Sequence, residues 1–183
     1  MLYILFLRKC FSLMVIWLTG LSDSGKTSIS KEFLRISSKE NKFISIDGDD
    51  IRLIFNNKLG FSKPERIKHI NHIQKLAKFL EQNHIMVIVS ALYCNSDILK
   101  WNRKNFKKYI EVFVKTDKKT LIKRDTKGIY NNYKNKKMKN VVGFDIRYFA
   151  PKNPDILIDT NKSSIEKSAK KIYKYFKKLT NNN

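Results

Sequence analysis

Residues Gly20-Leu21-Ser22-Asp23-Ser24-Gly25-Lys26-Thr27 follow the pattern glycine, any four residues, glycine, lysine, then serine or threonine. Immediately before them, Met14-Val15-Ile16-Trp17-Leu18 is a short apolar run with β-branched and aromatic members, which reads as a buried parallel strand. After them, Ile29, Phe33, Leu34 and Ile36 recur at helical spacing. A loop of this kind between a strand's carboxyl end and a helix's amino end is a phosphate cradle. The helix's first N–H groups have no internal partners, and its dipole favours negative charge. Lys26 is then placed to reach a nucleotide's outer phosphates, and the Thr27 hydroxyl to hold Mg²⁺. Asp23 puts an anion among anions, which the cradle tolerates if the carboxylate points outward.

The rest of the chain repeats the strand-then-helix pattern. Lys42 to Ile46 reads as a second strand, ending in Asp47-Gly48-Asp49-Asp50. Carboxylates at a strand end beside a phosphate loop suit metal or proton chemistry, which points to Asp47 or Asp49, while Asp50 is a good N-cap for a helix over Ile51 to Phe55. Ser62, Pro64 and Glu65 open the next helix as cap, first-turn proline and capping box, with Ile67, Ile70, Ile73, Ala77 and Leu80 as its buried stripe. His69 and His72 then read as solvated helix residues. The apolar run Ile85 to Leu92 predicts a central strand, Ile98 to Phe106 a helix, Tyr109 to Val114 a strand and Lys118 to Arg124 a helix. From Arg124 to Phe149 no period persists, so a flexible insert or a lid over substrate is expected, the lid being favoured where phosphoryl transfer must exclude water. Pro154 to Thr160 reads as the last strand, and Ser163 as the cap of a helix with Ile165, Ala169, Ile172, Phe176 and Leu179 inward. The alternation predicts an α/β fold of the P-loop NTPase kind, a doubly wound and mostly parallel sheet with helices on both faces.

A length of 183 residues with 42% hydrophobic content suits one globular domain, expected over residues 14–183 with a lid near 124–149. The net charge of +22 would ordinarily raise nucleic acid or an acidic membrane as partner. The charge is overwhelmingly Lys, spread along the chain and accompanied by Asn and Ile, whereas base and phosphate recognition leans on Arg. Neither a specific nucleic acid nor a membrane is therefore expected as partner. Cys10 and Cys94 match no metal spacing and imply no disulfide, as in a reducing, cytoplasmic compartment. Leu2 to Leu18 resembles a short signal sequence, but no basic region precedes it, Arg8 and Lys9 break it and no cleavage site follows, so residues 1–13 read as an extension from a start upstream of Met14.

Several segments together resemble the adenylyl-sulfate kinase family, P-loop enzymes that phosphorylate the 3′-hydroxyl of adenosine 5′-phosphosulfate. The carriers are Trp17 to Ser22, Asp47-Gly48-Asp49 with Arg52, Leu59 to Ser62 with Arg66, Arg124-Asp125 with Lys127 to Tyr130, Lys139-Asn140, Gly143, Asp145 and Ala150-Pro151. The resemblance implies ATP on Gly20, Leu21, Ser22, Asp23, Ser24, Gly25, Lys26 and Thr27 with Arg124, and Mg²⁺ on Thr27 and Asp47. It implies Lys26 with Asp47 or Asp49 in catalysis, and a small-molecule nucleotide acceptor held by Arg52, Phe61, Arg66, His69, Lys127, Gly128, Ile129, Lys139 and Asp145. Arg52 and Arg66 would grip its phosphate end, and Phe61 would form one face of a clamp on its base. A homodimer is admitted as the assembly.

The departures from the family cluster on the acceptor side. Lys68 to His72 stands where the family has Glu-Asn-Ile-Arg-Arg, Cys94 to Asp97 replaces Ser-Pro-aromatic-Arg, and Val141 replaces the clamp's second aromatic. Losing one aromatic face removes base stacking of about 1–3 kcal/mol. Asp97 in place of Arg would reverse charge beside an anionic substrate. Both changes suit a relative of the family that phosphorylates cytidine diphosphoramidate in bacterial capsule pathways, with its smaller base and less anionic end. Two other classes compete: a nucleotide-binding module without catalysis, which would not need the Asp47 and Asp49 carboxylates, and a polynucleotide-binding protein, suggested only by charge.

Overall fold

A computed structural model describes residues 13–39, 41–56 and 58–181. The expectations for the extension and for Cys10 fall on residues 1–12, outside the described residues. Five strands alternate with helices: β1 Val15–Thr19, α1 Lys26–Ser37, β2 Phe43–Asp47, α2 Gly48–Ile54, α3 Lys63–Gln82 and β3 Met86–Ala91. They are followed by α4 Ser96–Asn105, β4 Tyr109–Lys115, α5 Lys118–Arg124, α6 Ile129–Lys134, β5 Ile156–Asp159 and α7 Ile165–Asn181. The sheet runs β2-β3-β1-β4-β5 and every pairing is parallel. The order puts β1 in the middle, so the loop that follows it opens at the centre of the sheet's carboxyl edge, where ligands bind in open α/β sheets.

Both sheet faces are buried, which is why β1 and β3 are buried throughout and mostly apolar rather than alternating. On one face Met14, Ile16 and Leu18 pack with Phe33 of α1 and Ile172 and Phe176 of α7. On the other, Val15, Trp17, Val87 and Val89 pack with Ile70, Ile73 and Ala77 of α3 and Ile98 of α4. A smaller cluster of Leu121, Tyr130 and Val141 lies under α5 and α6.

Four sequence expectations are corrected. The helix expected to begin after Asp50 begins at Gly48, because Asp47 is its cap: the Asp47 carboxylate accepts from Asp49 N–H at 2.9 Å. The buried side of α3 is wider than the aliphatic stripe, taking in His69, Gln74 and Glu81 while Ile67 and Leu80 are only half-buried. These polar groups are buried because each is bonded: Gln74 donates to Asn102 Oδ1 at 2.7 Å, and Glu81 accepts from Lys107 N–H at 2.7 Å. The cap of α7 is Ser164, whose Oγ accepts from Lys167 N–H at 3.2 Å, and Ile165 and Leu179 face solvent. The 124–149 stretch is not featureless, since it contains α6 and its own buried cluster. Among the described residues, no helix is long and apolar enough to cross a membrane.

Candidate active site

Gly25 adopts φ +97°, a left-handed conformation that favours glycine, and so turns the chain from the loop into α1. Lys26 follows as a buried residue, its Nζ donating to Leu21 O at 2.8 Å across the loop. Burial pulls its pKa down to about 8, against the opposing pull of Asp47. The carboxylate of Asp23 points away from the cradle: it accepts from the N–H and hydroxyl of Thr126. The left-handed backbone of Asp23, φ 57°, is one that Asp tolerates.

Thr27 donates its hydroxyl to Asp47 Oδ2 at 2.6 Å, and the other Asp47 oxygen caps α2. Strand β2 and the start of α1 therefore deliver two oxygen donors to one point beside the phosphate loop. Mg²⁺ takes one or two protein oxygens, with phosphates and water completing an octahedron, so this pair fits it. Asp49, in the first turn of α2, forms an ion pair with Lys127 from the turn before α6. Arg124 donates to Asp23 O at 3.3 Å and to Thr160 O at 3.1 Å, lying across the outer side of the loop.

A cavity of about 1130 Å³ runs from this loop toward α3. At its far end Phe61, 53% exposed, is approached by two guanidinium groups, Arg52 at 4.6 Å and Arg66 at 5.3 Å from its ring centroid. Arg52 donates to Leu59 O and Gly60 O, and Arg66 to Phe61 O at 2.9 Å and Asn140 O at 2.7 Å. Burial, reinforced by Arg52, lowers the Arg66 pKa to about 10. His69, only 6% exposed, meets Gly48 O through Nε2 at 2.9 Å, which overturns its reading as a solvated residue. Burial, and then Arg52, push its pKa down to about 4, so the ring is neutral at pH 7 with Nε2–H donating.

Of the residues singled out from the sequence, the cavity is lined by Ser22, Asp23, Ser24, Gly25, Lys26, Thr27, Asp47, Asp49, Arg52, Phe61, Arg66, His69, Arg124, Lys127, Ile129 and Lys139. Gly20, Leu21, Gly128 and Asp145 stand outside its lining. Asp145 faces its own loop, accepting from Asn140 N–H at 2.7 Å and from Val141 N–H, and Gly128 caps α6. Val141 does line the cavity, while Asp97 lines a separate groove with Asn71 and Lys75. The inferred charge reversal beside the acceptor therefore has no geometric basis. Sequence reasoning missed Ser90, Tyr93 and Asn140 as cavity residues; for Ser90 and Tyr93 the available signal was their place at the carboxyl end of the central strand.

Residues 12–159 match the adenylylsulphate kinase family. A cytidine diphosphoramidate kinase of Campylobacter jejuni is 35% identical over 161 residues, covering 87% of this chain and 94% of that protein. An adenylyl-sulfate kinase of Pseudomonas aeruginosa is 36% identical over 165 residues, covering 88% and 84%. Among solved structures, the Mycobacterium tuberculosis APS kinase CysC in complex with AMPPNP and APS superposes with a TM-score of 0.83 at 27% identity, covering 90% of this chain and 98% of that one.

Proposed function

Because the chain belongs to the adenylyl-sulfate kinase family, ATP-dependent phosphotransferases acting on a hydroxyl, we propose that it moves the γ-phosphoryl group of ATP to the ribose 3′-hydroxyl of a nucleoside 5′-phosphate derivative. The observation that carries this reading is the single cavity that joins the Gly20 to Thr27 loop to the Phe61 turn with its two arginines. Adenosine 5′-phosphosulfate is the leading acceptor. One observation favours cytidine diphosphoramidate as a second reading: Val141, not an aromatic ring, lines the cavity at the clamp's second position, leaving stacking to Phe61. The Campylobacter jejuni relative agrees with that reading.

The loop N–H groups and Lys26 hold the β- and γ-phosphates; Thr27 and Asp47 would hold Mg²⁺, which would supply charge neutralisation at the phosphates. Asp49, two residues beyond Asp47, accepts the 3′-hydroxyl proton, and Lys127 orients the Asp49 carboxylate. Arg124 and Lys127 offset charge developing on the transferred group. Residues 124–149 act as a lid that excludes water as the competing acceptor. Residues 14–183 form one kinase domain that works in the cytoplasm as a homodimer, an assembly tested by sedimentation.

The functional test is coupled ADP release with Mg²⁺-ATP and each acceptor in turn. Lys26→Ala should lower kcat by about 10²–10³-fold, the scale of losing one charge-stabilising donor. Near-normal turnover in that variant would sink the assignment, and the ratio of kcat/KM values for the two compounds identifies the acceptor.

A further inference from the structure

Tyr93 stands just beyond β3, on the cavity wall, and is only 2% exposed. Its ring belongs to the α3 side of the core with Ile70, Ala91 and Val142, so its position is fixed by packing. Among the described residues, its hydroxyl has no hydrogen-bond partner of ordinary geometry. Asn95, whose Oδ1 accepts from Ile98 N–H at 2.8 Å to cap α4, can offer the phenol oxygen only its amide N–H, which leaves the Tyr93 O–H proton without an acceptor. A buried hydroxyl without a partner is destabilising, so a position that keeps one on a cavity wall points to a ligand as the partner.

The surroundings define that ligand's chemistry. Burial raises the phenol's pKa, outweighing Arg66 and Asn95, so the group stays protonated and has a proton to donate. Arg66 is the cation whose charge acts on it, and Arg52 lies against the same Phe61 ring as Arg66. Arg66 directs Nε and one terminal nitrogen to the Phe61 and Asn140 carbonyls, and its remaining N–H groups are left for a ligand. A neutral O–H donor next to a guanidinium suits an oxygen that carries negative charge, and neither a cation nor another donor.

We propose that Tyr93 is a specificity-determining residue for the acceptor, its hydroxyl donating to an anionic oxygen at the acceptor's 5′-phosphate end beside Arg66. The proposal rests on the acceptor reading given above. It adds a donor supplied by the turn after the central strand, a place where the sequence alone showed only a departure from the family's pattern.

The test is Tyr93→Phe in the full chain, which removes one oxygen and keeps the ring. Kinetics are run with adenosine 5′-phosphosulfate and cytidine diphosphoramidate. Calorimetric binding of both, and of adenosine and cytidine, is measured with ADP present. The proposal expects acceptor KM and Kd to rise roughly ten- to a hundredfold, the loss of a hydrogen bond to a charged group. KM for ATP and kcat should hardly move, and Tm should stay level or rise, because no protein group loses a partner. Unchanged acceptor KM and Kd would overturn the proposal. So would an equal loss for the bare nucleosides, which would assign the hydroxyl to the base or ribose. Wild-type protein that binds an acceptor without phosphorylating it would refute the kinase reading and leave Tyr93 to be judged by calorimetry. Wild-type protein that binds none of the four compounds would overturn both.

Discussion

At the residue scale, burial has shifted the protonation of groups lining the cavity, and His69 gives the clearest measurable consequence. Its pKa in the folded chain is about 4, against about 6.5 when unfolded, so between these values the unfolded chain binds the extra proton. The stability contributed by the neutral ring is therefore complete above about pH 6.5 and is lost as pH falls toward 4. In paired thermal melts over that window, His69→Asn should lose less Tm on acidification than wild type, because Asn does not titrate. Parallel curves would show that the ring is not held neutral by its site. The reading of His69 from sequence failed because helical periodicity reports an apolar stripe and carries no information about a polar side chain bonded to another element, here to Gly48 at the start of α2.

At the element scale, the strands, the phosphate loop and, among the described residues, six of the seven helices were legible, because each is set by local pattern: β1 and β3 by nearly continuous apolar runs, α3 by Ser62, Pro64 and Glu65. The segment from Arg124 to Phe149 was not, since its order comes from contacts distant in sequence. Arg66 ties it to the Phe61 turn through Asn140 O, and Tyr130 donates to Ser22 O at 2.8 Å. Gly143 is the tightest point of this segment. It sits at φ +94°, and a Cβ there would lie 2.8 Å from Leu21 Cδ2. Gly143→Ala should destabilise the protein by about 1–2 kcal/mol in urea unfolding, the cost of a left-handed alanine. Because the displaced side chain belongs to the phosphate loop, KM for ATP should rise in the same variant. A fully stable variant would mean that the loop relaxes away from Leu21 at no cost.

At the scale of the whole molecule, the net charge of +22 is a long-range term that no single contact reveals. Like charge repels itself in the compact state, and salt screens that repulsion over a Debye length of about 8 Å at physiological ionic strength. Moving from low to moderate salt should therefore raise Tm by a few degrees while weakening the binding of ATP. A falling Tm would show that pairs such as Arg103 with Asp155 contribute more than the overall repulsion. The sheet order has a consequence of a different kind, for biosynthesis. Strand β1 is made first, yet its two neighbours are β3, ending at Ala91, and β4, ending at Lys115. While the chain is being made, the phosphate loop has a strand on only one side until residue 115 of 183 has left the ribosome. Until then β1, which leads into the phosphate loop, is an apolar strand with an unpaired edge, so a nascent chain stalled short of β4 should depend on chaperones and gain no protection from ATP.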